Sequence, residues 1–163
     1  MLRQHPHSLE DVLADIEELA RLCGAPDSPL PEDLRRRIRA AADAAGRLGP
    51  VRGVFLEWLD PPYPAGHWTP DLLKIAGIQD PLARPGLPSI ARGWPEVVAA
   101  HPELLVLAPC GFGRERAEAE AALVRTEIEA VGAERVVVLD GSAYFNRPGP
   151  RLVDSLELLV ASR

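Results

Sequence analysis

The sequence predicts an α/β fold: a Rossmann-like three-layer lobe with a mostly parallel sheet, preceded by a helical connector. Three observations carry this. The strand-like runs VRGVFLEWL, ELLVLAP and RVVVL are separated by helical stretches instead of hairpin turns, the order of parallel strands with right-handed crossovers. The second and third runs are continuously apolar, as strands covered on both faces are. Two amphipathic helices come before any strand, so residues 1–50 read as a connector and residues 51–163 as the lobe.

Ser8 is a good helix N-cap, and Glu10 and Asp11 follow in the first turn, where the helix dipole favours acids. Leu9, Val12, Leu13, Ile16, Leu19 and Ala20 make one apolar stripe at helical spacing, and Gly24 ends it. After the turn-rich APDSPLP, a second helix is expected over residues 32–48, closed by Gly49-Pro50. The first strand starts at Val51. Residues 60–66 must be a loop on this reading, since three prolines cannot occupy a ladder or a helix interior. Thr69-Pro70 opens a helix that ends at Gly77. Residues 80–93 read as a meandering loop and WPEVVAAH as a short helix. Past the second strand, residues 110–113 form a turn and residues 114–131 one long helix. The third strand, a loop over residues 140–148 and a closing helix over residues 149–161 complete the chain.

Composition excludes several function classes. With 163 residues, 47% of them apolar and 26% charged, the chain is long enough for one domain with a real core. A net charge of −6 argues against a nucleic-acid partner, which needs a basic face. The dense cluster Arg35-Arg36-Arg37 with Arg39 is read as a solvated helix face. Cys23 and Cys110 are far apart, which gives neither a disulfide framework nor zinc spacing, and both are expected to be buried small side chains. No run approaches the ~18 apolar residues of a membrane span. The start, MLRQHPHSLEDVL, lacks the pattern of a signal peptide, so the expected compartment is the cytoplasm.

Ligands of an open parallel sheet bind beyond the carboxyl ends of its strands. Three loops leave those ends: residues 60–68, 109–113 and 140–148. The first brings Tyr63, Gly66, His67 and Trp68, just after Trp58 on its strand. The second brings Phe112, and the third Tyr144, Phe145, Asn146 and Arg147. At least half of the chain's aromatics therefore meet at one edge, where a flat apolar ligand with polar fringes would find walls. Trp58 alternates with Phe55 along its strand and reads equally as core. His67, with no Cys/His/carboxylate cluster around it, reads as a hydrogen-bonded loop histidine, and no metal site or cofactor is expected. Catalysis has one candidate: Cys110, which follows a strand at a helix N-terminus that would lower its pKa. CGFGRE matches neither a phosphate loop nor a dinucleotide fingerprint.

The segments LEWLDPPYPAGHW, APCGF and AYFNRPGPRLVD resemble the C-terminal lobe of cobalamin-type substrate-binding proteins of ABC import systems, the helical-backbone class III type. The resemblance spans essentially the whole chain. It implies two α/β lobes joined by a helix, with only the second present here, and non-catalytic capture of a corrinoid for delivery to an ABC permease. It implies that Trp58, Tyr63, Gly66, His67, Trp68, Phe112, Tyr144, Phe145 and Arg147 line the ligand cleft. Haem- and siderophore-binding relatives share the scaffold. The family's permease-docking glutamate falls at Pro95, with Glu96 one residue later and so swung by about 100° on its helix. With its cleft face uncovered, such a lobe is expected to pair with a separate N-terminal lobe or to form a homodimer, an interaction module in either case.

Overall fold

Ser8 starts the first helix as its chemistry demands. Its hydroxyl accepts from the Asp11 N–H at 3.1 Å, and the Asp11 carboxylate accepts from the Ser8 N–H at 3.0 Å. The His7 N–H, which donates to the same carboxylate at 2.9 Å, and then Ser8 hold the Asp11 carboxyl below the usual carboxylate range. The computed structural model describes residues 5–163; residues 1–4, part of the stretch read for a signal peptide, lie outside it.

The elements run α1 (Leu9–Leu22), α2 (Leu30–Leu48), β1 (Val51–Leu59), β2 (Pro62–Pro64), β3 (Gly66–His67), α3 (Thr69–Ile75), β4 (Ile78–Gln79) and β5 (Arg84–Pro85). They continue with α4 (Trp94–Ala99), β6 (Leu104–Leu107), α5 (Arg114–Leu123), α6 (Arg125–Val131), β7 (Arg135–Val138), α7 (Gly141–Tyr144) and α8 (Arg151–Ala161). The three expected strands are the parallel core of the sheet, in the order β1-β6-β7. Their alternation builds three layers. Phe55, Leu104 and Val106 pack with Leu9, Leu34, Leu72 and Leu156 on the side of α1, α2, α3 and α8. Val54, Leu56, Leu105 and Leu107 pack with Val97, Val124 and Val131 on the side of α4, α5 and α6. The connector helices thus share the core with α3 and α8. Arg37 of α2 also pairs with Asp154 and Glu157 of α8, each at 2.6 Å. Among the described residues, no helix is long and apolar enough to cross a membrane.

Four expectations need correction. The proline-rich stretch is not all loop: Pro62–Pro64 pairs antiparallel with β1, and prolines are tolerated there because the strand lies at an edge. The helix after residue 113 is broken at Val124 (φ −112°, ψ 30°), where the side chain turns into the core. Inside the predicted loops, residues 141–144 make a helical turn and residues 84–85 a short strand paired with β3. Both cysteines are free and exposed, not buried.

The far edge of β1 is covered in two pieces, β4 at its start and β2 at its end. Between them the buried N–H of Phe55 has no strand partner, and the Asp80 carboxylate accepts it at 2.9 Å while taking the Leu82 N–H at 2.8 Å. Burial outweighs these bonds and pushes the Asp80 carboxyl up to about 6 from 3.8. The folded state therefore binds this proton more tightly than the unfolded chain does. That contribution to stability is complete below pH 3.8 and is lost as pH rises through about 6. Asp80→Ala is expected to cost about 1–3 kcal/mol for each N–H it orphans. Asp80→Asn should flatten the pH dependence of stability between pH 4 and 7, measured by urea denaturation across that range; an unchanged slope would refute the role.

Candidate functional site: the carboxyl edge of the sheet

The three loops beyond β1, β6 and β7 are fastened to one another before any ligand arrives. The Trp68 indole N–H donates to the Phe145 carbonyl at 3.2 Å, which joins the first loop to the third. The Ser142 N–H donates to the Phe112 carbonyl at 3.1 Å, which joins the third to the second. Gly141 permits that junction: a Cβ there would overlap the carbonyl oxygens of Ala108 and Pro109. The Asn146 side-chain amide sits between the Gly141 carbonyl and the Gly111 N–H, and Asp140 caps the short α7 by accepting from the Ala143 N–H at 2.7 Å.

On this frame the predicted residues divide into three groups. Trp58 and Phe112 meet with ring centroids 5.0 Å apart and a 50° tilt, so the first and second loops share one aromatic face. Trp58 is 36% exposed and its indole N–H donates to the Asp60 carbonyl at 3.0 Å, so it belongs to the surface and not the core. Tyr63 lies opposite Trp58 in the β1–β2 ladder, half-buried. Below the Trp58–Phe112 pair is a hollow of about 230 Å³, bounded by Leu59, Pro109, Glu120 and Val124. Arg147 is exposed in the third loop, and Tyr144 is half-buried against the core.

His67 and Trp68 form a second group, with ring centroids 5.7 Å apart and His7 stacked on His67 at 6.2 Å. His67 has φ +53°, a conformation costly outside glycine. It is held there because its N–H donates to Leu87 and its carbonyl accepts from Gly86. Two further residues turn inward. Phe145 is 4% exposed, its ring 4.9 Å from that of Phe55, so it is core and not cleft wall. Gly66 is buried, and the place of a side chain there is taken by the backbone of Leu87 and Ser89. Glu96 is exposed, but its carboxylate caps α4 through the Gly93 N–H and pairs with Arg92, both at 3.1 Å.

This arrangement has close counterparts. The chain superposes on the periplasmic vitamin B12 binding protein of Vibrio cholerae with a TM-score of 0.75 at 20% identity, covering 98% of this chain and 62% of that one. It superposes equally on the Fe3+-hydroxamate transport protein of Saccharomonospora viridis (TM-score 0.76, 20% identity, 97% and 57%). A periplasmic heme-binding protein from Roseiflexus sp. RS-1 gives a TM-score of 0.75 at 22% identity, with 96% and 63% covered. The fold is that of a substrate-binding-protein lobe. The lobe spans about three fifths of the length of these structures. No protein-family profile matches it, and no curated protein matches it by sequence.

Residues that sequence reading left out also serve the lobe's edge. Arg116 places its guanidinium carbon 3.8 Å above the Phe112 ring and pairs with Glu120 at 3.6 Å, so it braces the aromatic face. Its i,i+4 spacing from Phe112 was a usable signal. The hydrogen bond from the Ser89 hydroxyl to the Glu57 carboxylate was not, because those residues are 32 apart in sequence.

Cys110 does not have the electrostatics of a nucleophile. Although the residue as a whole is exposed, its sulfur is partly shielded; that desolvation first, and the Glu57 carboxylate second, push the thiol up to about 11, the reverse of the expected helix-terminus effect. Only about one thiol in a thousand is ionised at pH 8 with such a pKa. In a Cys23→Ser background, Cys110 should react with a disulfide reagent at pH 8 at least about tenfold more slowly than free cysteine. A rate equal to or above free cysteine would restore the catalytic reading.

Proposed function

We propose that the lobe is one wall of a non-catalytic substrate-binding protein of an ABC importer, and that its ligand is a corrinoid. The observation that carries this is the paired Trp58–Phe112 face, Trp58 exposed and Phe112 half-buried and braced, at the carboxyl edge of a sheet whose three loops are already locked. A rigid aromatic face without an adjacent nucleophile or activated base suits capture of a flat ligand better than chemistry on it.

Electrostatics favours a corrinoid over haem. Glu57, Asp60 and Asp140 border the edge, and the nearby Arg114 and Arg116 are already paired with Glu118 and Glu120. Haem propionates would meet uncompensated carboxylates there. Neutral amide side chains can donate to those carboxylates and accept from Arg147. The resemblance of LEWLDPPYPAGHW and AYFNRPGPRLVD to cobalamin-type proteins points the same way. The second wall is assigned to a further lobe, within a longer protein or on a separate chain, since the lobe spans about three fifths of its structural neighbours. Several of those neighbours are described as periplasmic, which favours that side of the membrane over the cytoplasm. Delivery to a permease through Glu96 would require its carboxylate to leave the α4 cap.

Calorimetry with cyanocobalamin, hemin and a ferric hydroxamate siderophore tests the reading. Cyanocobalamin should bind in the micromolar range or more weakly, because one wall buries only part of it. Trp58→Ala combined with Arg147→Ala should weaken it by at least about tenfold. No heat with cyanocobalamin at high micromolar concentration would reject the corrinoid, and heat with hemin alone would transfer the assignment to haem.

A further inference from the structure

The basic cluster of α2 has a use beyond solvation. Arg35 pairs with Glu10 and Glu17 of α1, Arg36 with Asp33, and Arg37 with Asp154 and Glu157 of α8. Arg39 is the exception in the cluster. Among the described residues it makes no ion pair or side-chain hydrogen bond, and neither does Lys74 on α3. Both border one open groove of about 640 Å³ between α1, α2 and α3.

Beside the groove α1 and α2 are also bridged by an ion pair. The Arg35 guanidinium spans from α2 to two glutamates on α1. The floor of the groove is aliphatic: Leu9 and Leu13 from α1, Ile38 and Ala42 from α2, and Ile75 from α3. At the rim, Arg35 and Glu10 neutralise each other; the Asp71 carboxylate accepts from the Leu9 N–H at 2.9 Å and keeps its negative charge, one anion against the two cations. Arg39 and Lys74 are left as two uncommitted cations over an apolar floor, on a protein whose net charge is −6. A volume of this size falls within the range of small-molecule sites. An apolar floor beneath two free cations is complementary to a chain or ring ending in an anionic head, and hostile to a cationic amphiphile.

We propose that this groove is a second ligand site, on the connector side of the lobe, for a single-chain carboxylate amphiphile. The tail lies along Leu13, Ile38 and Ile75, and the carboxylate lies between Arg39 and Lys74. The site is separate from the carboxyl edge and independent of what binds there.

Decanoate, titrated below its micellar concentration into the isotopically labelled protein, is the probe. Amide resonances of residues 9–13, 38–42 and 71–75 should shift in a saturable way, and decyltrimethylammonium should bind at least about tenfold more weakly. Arg39→Glu with Lys74→Glu should reverse that preference. Ala42→Trp, a change at an exposed position, should abolish decanoate binding while leaving the fold intact. Shifts that never saturate, equal binding of both amphiphiles, or decanoate binding that survives Ala42→Trp would each overturn the site. Cyanocobalamin titrated into Ala42→Trp reads the carboxyl edge separately, so failure of one site is not confused with failure of the other.

Discussion

Strand β1 must be hydrogen-bonded on both edges and buried on both faces, and the rest of the lobe follows from how that is achieved. One edge is simple: β6 pairs with it in register from Gly53 to Leu56. The other is shared between β4 at residues 51–52 and β2 at residues 56–59, with the Asp80 carboxylate closing the gap at Phe55. This division requires the chain to double back immediately after β1, run down through α3 and return to the start of the strand. The doubling-back brings Tyr63 beside Trp58 and puts Trp68 where its indole reaches the third loop. The aromatic face is therefore a by-product of completing the hydrogen bonds of one buried strand, where each unmet N–H would cost more than a typical bond contributes.

The same economy makes the carboxyl edge rigid. Its loops exchange backbone and indole hydrogen bonds, and Gly141 lets the third loop approach Ala108 and Pro109, just past β6, closer than any side chain would allow. Ordering cost that a mobile loop would incur on binding is here incurred on folding. His67, fixed at positive φ by bonds to Gly86 and Leu87, belongs to this fastening more than to recognition. Trp58, Phe112 and Arg147, which keep solvent contact, are what remains for a ligand to meet.

Sequence patterning was most reliable where burial is two-sided. β1 and β6 were legible because apolar runs of that length have few other ways to fold, and the Ser8 capping chemistry located the start of α1; β7, expected to be covered on both faces, pairs as expected but lies at the sheet edge with Val136 43% exposed. The edge strand Pro62–Pro64 was missed because proline's missing donor looks disqualifying until one knows that its N faces away from any neighbour. The break at Val124 was missed because Ala- and Glu-rich sequence has helix propensity on both sides, and only tertiary packing turns Val124 inward. At the carboxyl edge, local sequence identified three loops that the fold does bring together. It did not separate Phe145 and Gly66, which serve the core, from Trp58 and Phe112, because which face of a loop points outward is decided by contacts distant in sequence.

A single wall sets a limit on what this edge can do alone. Drug-sized ligands in closed sites lose most of their surface to protein, whereas a ligand resting on the Trp58–Phe112 face would keep its opposite side in water. The gain from one face must still offset the loss of translational and rotational freedom, which is the same whether one wall or two are met. A second wall therefore adds contact energy with little further entropic cost, and affinity should rise steeply once it is supplied. The rigidity of this edge is what makes that gain available: a preformed face needs only a partner surface and no reordering of its own. Under the proposed function the lobe is the fixed half of a clamp, with specificity contributed here and most of the affinity contributed by closure.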